Sequence, residues 1–227
     1  MLAAFSDAAT LRHALAFEAE LARAEAAEGL IGADAAEAIA ALCATIAIEP
    51  AELAEEAALA GTLAIPLVAR LRAALSGEAA KALHKGATSQ DVADTVLACQ
   101  IRTAGSLLGT DLTRITTALA ALARRHATTS AIGRTLLQDA LPIGFGLRLA
   151  HWQAGIAESA TRLHHETEAG AVLQFGGAAG SRAGLGGKAA AVSARLAAAL
   201  GLPDAPPWHA RRGGVAGIAT ALAIAIG

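Results

Sequence analysis

From Ser89 to about His126 the chain runs without a proline, and Ile101, Leu108, Ile115 and Leu122 recur at intervals of seven residues. A seven-residue recurrence keeps one apolar stripe turned toward a partner helix, so the stretch predicts a bundle helix. At about 1.5 Å per residue it would be roughly 55 Å long. A second long helix is expected near Pro142, because Phe145, Leu149, Trp152, Ile156, Ser159 and Leu163 alternate steps of four and three residues before Gly170 closes it. The two should run antiparallel. A glycine-rich loop, QFGGAAGSRAGLGGK, then leads into a third helix with Val192, Leu196 and Leu200, ended by Gly201 and Pro203.

Upstream, the first 80 residues read as short helices with clear punctuation. Ser6 precedes Asp7, Gly29 follows Glu28, Asp34 leads the apolar series Ile39, Leu42, Cys43 and Ile46, and Pro50 and Pro66 sit where first turns are expected. Nothing there alternates like a strand. The expectation is an all-α protein, with a small N-terminal helical domain over residues 1–83 and an elongated helical bundle over 84–227. LPDAPPWHARRGG reads as a connector. The uncharged GGVAGIATALAIAIG beyond it reads as a helix buried among others, which suggests a bundle incomplete at its C-terminal end.

Composition removes several function classes. With 55% hydrophobic residues, the 227-residue chain can bury a sizeable core. Only 17% of residues are charged, and the net charge is -2, so no basic face offers itself to phosphates. Aromatic residues make up 3%, with no tyrosine, leaving few rings on which bases could stack. Nucleic acid is not expected as a partner. Asp7, Arg12, Glu18 and Glu20 interrupt any leader-like opening, and the C-terminal apolar stretch is shorter than the ~20 residues a spanning helix needs. Cys43 and Cys99 both sit in apolar helical patterns, as small buried hydrophobes do. The expectation is a cytoplasmic protein with no membrane partner.

Polar chemistry gathers in HKGATSQDVADT, residues 84 to 95. Thr88 with Asp91 three residues later fits a capping box, and that alone accounts for the pair. It leaves His84, Lys85, Ser89 and Gln90 around the start of the longest helix, where unpaired N–H groups and the helix dipole favour an anion such as a substrate carboxylate. A second cluster, GRTLLQDALP at residues 133 to 142, carries Arg134, Thr135, Gln138 and Asp139, which read as loop and cap residues. The glycine-rich loop fails the phosphate-binding pattern, since Lys188 is followed by Ala189. His164, His165 and Glu166 lack a complementary ligand set, so neither a metal nor another cofactor is expected.

Taken in order, six blocks resemble the fumarase/aspartase superfamily and, within it, the cycloisomerases that lactonise carboxymuconate. The blocks are FSDAATLRHALAFEAELARAEAAEGLI, LAGTLAIPLVARL, HKGATSQDVADT, GRTLLQDALPIGFGLRLAHW, LQFGGAAGS and PPWHARR. The resemblance implies a homotetramer whose central helices pool into one bundle, with each active site built from several subunits. It implies a small tricarboxylate substrate. Thr88 and Ser89 would hold a substrate carboxylate beside Gln90, while His84, Thr135 and Gln138 would line the catalytic cleft.

The implied reaction is an internal addition closing a muconolactone in aromatic-acid breakdown. Many lyases of the superfamily carry a histidine where this chain has Leu136, and the cycloisomerases lack it. Gly213 after Arg212 departs from relatives that often have an acidic residue there. The superfamily's serine-rich third signature, with its Met-Pro and lysine, lies beyond the point where this chain stops. Two alternatives accompany this reading: a fumarate-releasing lyase such as adenylosuccinate lyase, and a truncated, non-catalytic helical assembly module.

Overall fold

A computed structural model describes residues 1–226. Apart from one β-hairpin, the regular structure is helical, as the heptad pattern requires. Two compact units form: one from residues 1–103 and 169–215, the other from 104–168 and 216–227.

In the first unit, α1 (Asp7–Ala27) starts where Ser6 Oγ accepts the Ala9 N–H at 3.2 Å. It ends at Gly29, whose φ of +66° takes the left-handed conformation that glycine adopts without penalty. The helix buries Leu11, Ala14, Phe17 and Leu21, a spacing of three and four that keeps one face turned inward. That face packs on α2 (Ala33–Thr45) and on α8 (Ala189–Ala199), where Ile39 and Leu196 are fully buried. Three shorter helices complete the cluster: α3 (Pro50–Ala60), opened by Pro50, α4 (Ala64–Ala74) and α5 (Gly77–Ala82).

The long helix α6 spans Ser89–Arg125, within a residue of the predicted end. Its partner α7 spans Phe145–Gly170, beginning after Pro142 rather than at it. Within the second unit the two run antiparallel at close range. Thr167 lies against Gly105, and a Cβ added at Gly146 would land on the Ala123 carbonyl oxygen. Glycine is required at 146 because backbone meets backbone there.

The segment expected to be loop and cap, residues 133 to 142, is instead most of a hairpin. Strand β1 (Ser130–Thr135) pairs antiparallel with β2 (Gln138–Gly144), with an irregularity between Ile132 and Arg134. Leu136 and Leu137 make the two-residue turn with φ of +33° and +65°. Such a turn ordinarily calls for Asn-Gly, so its sequence carried no turn signal. The apolar segment after the connector forms α9 (Gly213–Ile226). No helix among the described residues is long and apolar enough to cross a membrane.

Candidate active site

Five residues before α6 begins, His84 takes a left-handed conformation with φ of +62°. Its Nδ1–H donates to Glu18 Oε1 at 2.6 Å, and Glu18 is wholly buried on α1. Farther along α1, Glu25 is buried with neither carboxylate oxygen hydrogen-bonded among the described residues. Burial pushes its carboxyl up to about 8, opposed by the Lys85 charge and reinforced by that of Glu18. Lys85 itself donates to the Leu30 carbonyl at 2.9 Å. His84, Lys85 and Lys81 line a cleft of about 700 Å³ that also touches Gly29 and Leu30.

The capping box at the start of α6 closes from one side only. Asp91 Oδ2 accepts the Thr88 N–H at 3.0 Å, while the Thr88 hydroxyl has no partner among the described residues. Asp91 does more than cap. It is fully buried, and its other three contacts all come from the glycine-rich segment. Oδ1 accepts from Gln174 Nε2 and the Gly176 N–H at 2.9 Å each, and Oδ2 accepts the Gly177 N–H at 2.9 Å. Four donors on two oxygens satisfy the carboxylate, which is how a buried acidic group becomes tolerable.

Gln174 extends this network. Its backbone pairs both ways with the Thr95 hydroxyl, and its Oε1 accepts the Trp208 N–H at 2.6 Å. The Trp208 indole donates to the Leu173 carbonyl at 3.0 Å, and His209 Nδ1 lies 3.3 Å from Gln174 Nε2. Arg182 ties the same loop to the connector by donating to the carbonyls of Phe175 and Ala205 at 2.7 Å each. Arg212 donates to buried Asp94 at 2.7 Å and lies over the Trp208 ring at 5.0 Å, and that hydrogen bond raises its pKa further. Close approach is what the glycines serve: a Cβ at Gly177 would sit 2.7 Å from the Gly86 carbonyl oxygen.

Asp91 and the segment it ties down therefore leave the start of α6 unencumbered. The Ser89 hydroxyl, the Ser89 and Gln90 N–H groups and the Thr88 hydroxyl have no protein partner among the described residues. Consecutive free N–H groups, two hydroxyls and the positive end of a 37-residue helix can hold a carboxylate.

His84 lines the cleft beside Gly29 and Leu30, whereas Thr88, Ser89 and Gln90 stand at the start of α6. Thr135 and Gln138 face one another as the closing pair of the hairpin, exposed, in the other compact unit. Sequence reasoning gave no role to Glu18, Gln174 or His209. A glutamine between two buried apolar residues, LQF, was the one signal that a polar network runs through that segment. No group of three His, Cys, Asp or Glu among the described residues is placed to hold a metal. His165 and Glu166 stand 3.6 Å apart, with His165 exposed.

The sequence model of a protein family described as Lyase matches residues 1–224. A 3-carboxy-cis,cis-muconate cycloisomerase of Bradyrhizobium diazoefficiens is 47% identical over all of this chain and 51% of its own length. The crystal structure of 3-carboxy-cis,cis-muconate lactonizing enzyme from Pseudomonas putida superposes with a TM-score of 0.91 at 42% identity, covering 97% of this chain and 51% of that one. A fumarate lyase from Mesorhizobium sp. BNC1 superposes with a TM-score of 0.92 at 38% identity, over 99% of this chain and 53% of that one. The chain spans about half the length of the relatives it matches. With its long antiparallel helices and its polar block at the start of α6 matched along that length, the chain belongs to the Lyase family of the fumarase/aspartase superfamily.

Proposed function

We propose that the protein works as a 3-carboxy-cis,cis-muconate cycloisomerase in the cytoplasm. The observation that carries this reading is the unencumbered donor set at Thr88, Ser89 and Gln90, in a chain 47% identical to an enzyme of that name. One substrate carboxylate oxygen attacks an alkene carbon of the same molecule, and the new C–O bond pushes the π electrons toward a second carboxylate. The neighbouring carbon then takes up a proton, leaving the lactone. Donors fixed around the second carboxylate stabilise the charge that develops there more than the ground state. The nucleophile is tethered, so orientation supplies much of the rate and the step needs no cofactor. Thr88, Ser89 and Gln90 hold the carboxylate; His84, Thr135 and Gln138 line the reacting end.

As the superfamily resemblance implies a site built from several subunits, this reading places the complete site between subunits of a homotetramer. Supporting it, the second unit leaves Ile115 at 44%, Leu122 at 40% and Trp152 at 54% exposed, a large apolar surface for a lone chain. Light scattering should give a tetramer at micromolar concentration; a stable soluble monomer opposes the assembly.

A fumarate-releasing lyase is the second reading, favoured by the similarity to the Mesorhizobium fumarate lyase. Incubating the protein with 3-carboxy-cis,cis-muconate should bleach the diene absorbance and yield a lactone visible by proton NMR. Ser89→Ala should slow this about 100-fold, the size of a lost donor to developing charge, with the thermal midpoint unchanged. Fumarate release from adenylosuccinate or argininosuccinate, without lactone formation, would replace the cycloisomerase reading by the second.

A further inference from the structure

His209 lies half-buried on the connector between α8 and α9, and its Nδ1 sits 3.3 Å from Gln174 Nε2. Which atom carries the ring proton follows from the groups behind it. Asp91 receives only donors: the N–H groups of Thr88, Gly176 and Gly177, and the Gln174 amide. The atom that Gln174 presents to Asp91 is therefore its nitrogen. The same orientation is fixed from the other end, because Gln174 Oε1 accepts the Trp208 N–H at 2.6 Å. Turning the amide over would set oxygen against Asp91 and nitrogen against the Trp208 N–H, forfeiting both bonds. One amide hydrogen serves Asp91, and the other meets His209 Nδ1. Nδ1 must then accept, and the proton of the neutral ring resides on Nε2.

That Nε2–H has no acceptor among the described residues. The ring packs against the Gly180 backbone, in the space a side chain there would fill: a Cβ added at Gly180 would lie 2.5 Å from its Cε1. Three hydrogen-bonded steps join this ring to the start of α6: His209 to Gln174, Gln174 to Asp91, and Asp91 to the Thr88 N–H.

We infer that His209 is a ligand-contacting donor, its Nε2–H reserved for a carboxylate of a substrate held at the start of α6, with Gln174 and Asp91 as the positioning residues that fix its tautomer. The identity of that substrate rests on the cycloisomerase reading; the tautomer and the carboxylate contact do not.

The test has two independent arms on the same protein. Long-range ¹H–¹⁵N correlation of the His209 ring should show the neutral form protonated at Nε2 alone. Protonation at Nδ1, or an exchanging mixture of the two forms, overturns the positioning. Calorimetric titration with propane-1,2,3-tricarboxylate should then be weakened about tenfold or more by His209→Asn, the size of a lost hydrogen bond to a charged group. His209→Gln, whose amide nitrogen reaches near the Nε2 position, should stay within about threefold of the parent. Equal binding by His209→Asn, or no binding of the tricarboxylate to the parent protein, overturns the ligand contact. A correct tautomer and the expected binding pattern without lactone formation would leave this inference standing and defeat the cycloisomerase reading instead.

Discussion

Substituting Asp91 by asparagine removes one acceptor oxygen from a buried, fully used carboxylate and puts an NH₂ group in its place. The surroundings decide which side it takes. Facing Gln174, the new NH₂ would meet the Gln174 amide nitrogen, and that amide cannot turn over without releasing the Trp208 N–H. The NH₂ is therefore driven to the Oδ2 side, against the N–H groups of Thr88 and Gly177. Two backbone donors lose their acceptor. A buried unsatisfied donor costs about 1–3 kcal/mol, and Gly177 is buried whereas Thr88 is partly open to water, so the loss should be about 3 kcal/mol. For a chain of this size that corresponds to a fall in thermal midpoint of about 6–12 °C. Asp91→Ala frees all four donors at once and should cost about 5 kcal/mol, a large part of the ~5–15 kcal/mol that holds an ordinary domain together.

Urea titration gives the total, and amide hydrogen exchange tests its distribution. Asp91→Asn should speed exchange at Gly177 and Thr88 while Gly176, still facing the retained Oδ1, keeps most of its protection. If the asparagine variant lies within about 0.5 kcal/mol of the parent, or if its exchange rises uniformly along the glycine-rich segment, then the carboxylate is not the hub described above.

Three further outcomes are expected. Glu25, held up to about 8 by burial, stays protonated in the folded chain while the unfolded chain ionises near 4.5. Stability should be fully present below pH 4.5, fall as pH rises toward 8 by at most about 5 kcal/mol, and lose this slope in Glu25→Gln; parallel pH profiles for the two proteins in urea refute it. Gly146→Ala should destabilise by about 1–3 kcal/mol although alanine is the better helix former, because its Cβ meets the Ala123 carbonyl; a raised thermal midpoint would show that α6 and α7 are not so close. The thiols of Cys43 and Cys99 are pushed up to about 12 and about 11, chiefly by burial, so both should resist alkylation at pH 8 until urea unfolds the chain; prompt labelling of either contradicts that burial.

How far the sequence could be read depended on the range over which each signal acts. Helix starts and stops are local, and Ser6, Gly29, Pro50 and Gly201 each mark a boundary that the structure keeps. The heptads of α6 and the four-three spacing of α7 are nearly local, since each helix carries its own stripe. The hairpin was missed because its turn is Leu136-Leu137, with neither glycine nor asparagine, and because the half-buried positions of β1 are Ala131 and Gly133 while Ile132 is exposed, so no apolar alternation marks the strand. The hub on Asp91 was missed for another reason. Its nearest partner, Thr88, is three residues away and suggested a complete local explanation, whereas Gln174, Gly176 and Gly177 lie 83, 85 and 86 residues downstream.

That difference in range also divides the polar block by purpose. Asp91 spends every acceptor on the fold: it ends the unpaired state of Thr88 and fastens the glycine-rich segment, whose own glycines permit backbone contact with Gly86. His84 is partly committed, since Glu18 takes its Nδ1–H. The Thr88 hydroxyl, which a capping box would have used, is left over because the Asp91 N–H donates to the Thr88 carbonyl instead, at 3.0 Å. A threonine engaged as a cap could not also serve a ligand without a loss of stability of about 1 kcal/mol. Since the Thr88 hydroxyl accepts no helix N–H here, Thr88 and Ser89 can both turn to a substrate carboxylate without weakening the helix start. The charge that would have repelled that carboxylate is enclosed by four donors. An acidic residue two positions beyond Ser89 is thus compatible with anion binding because its oxygens are occupied, and freeing them would disturb affinity as well as stability.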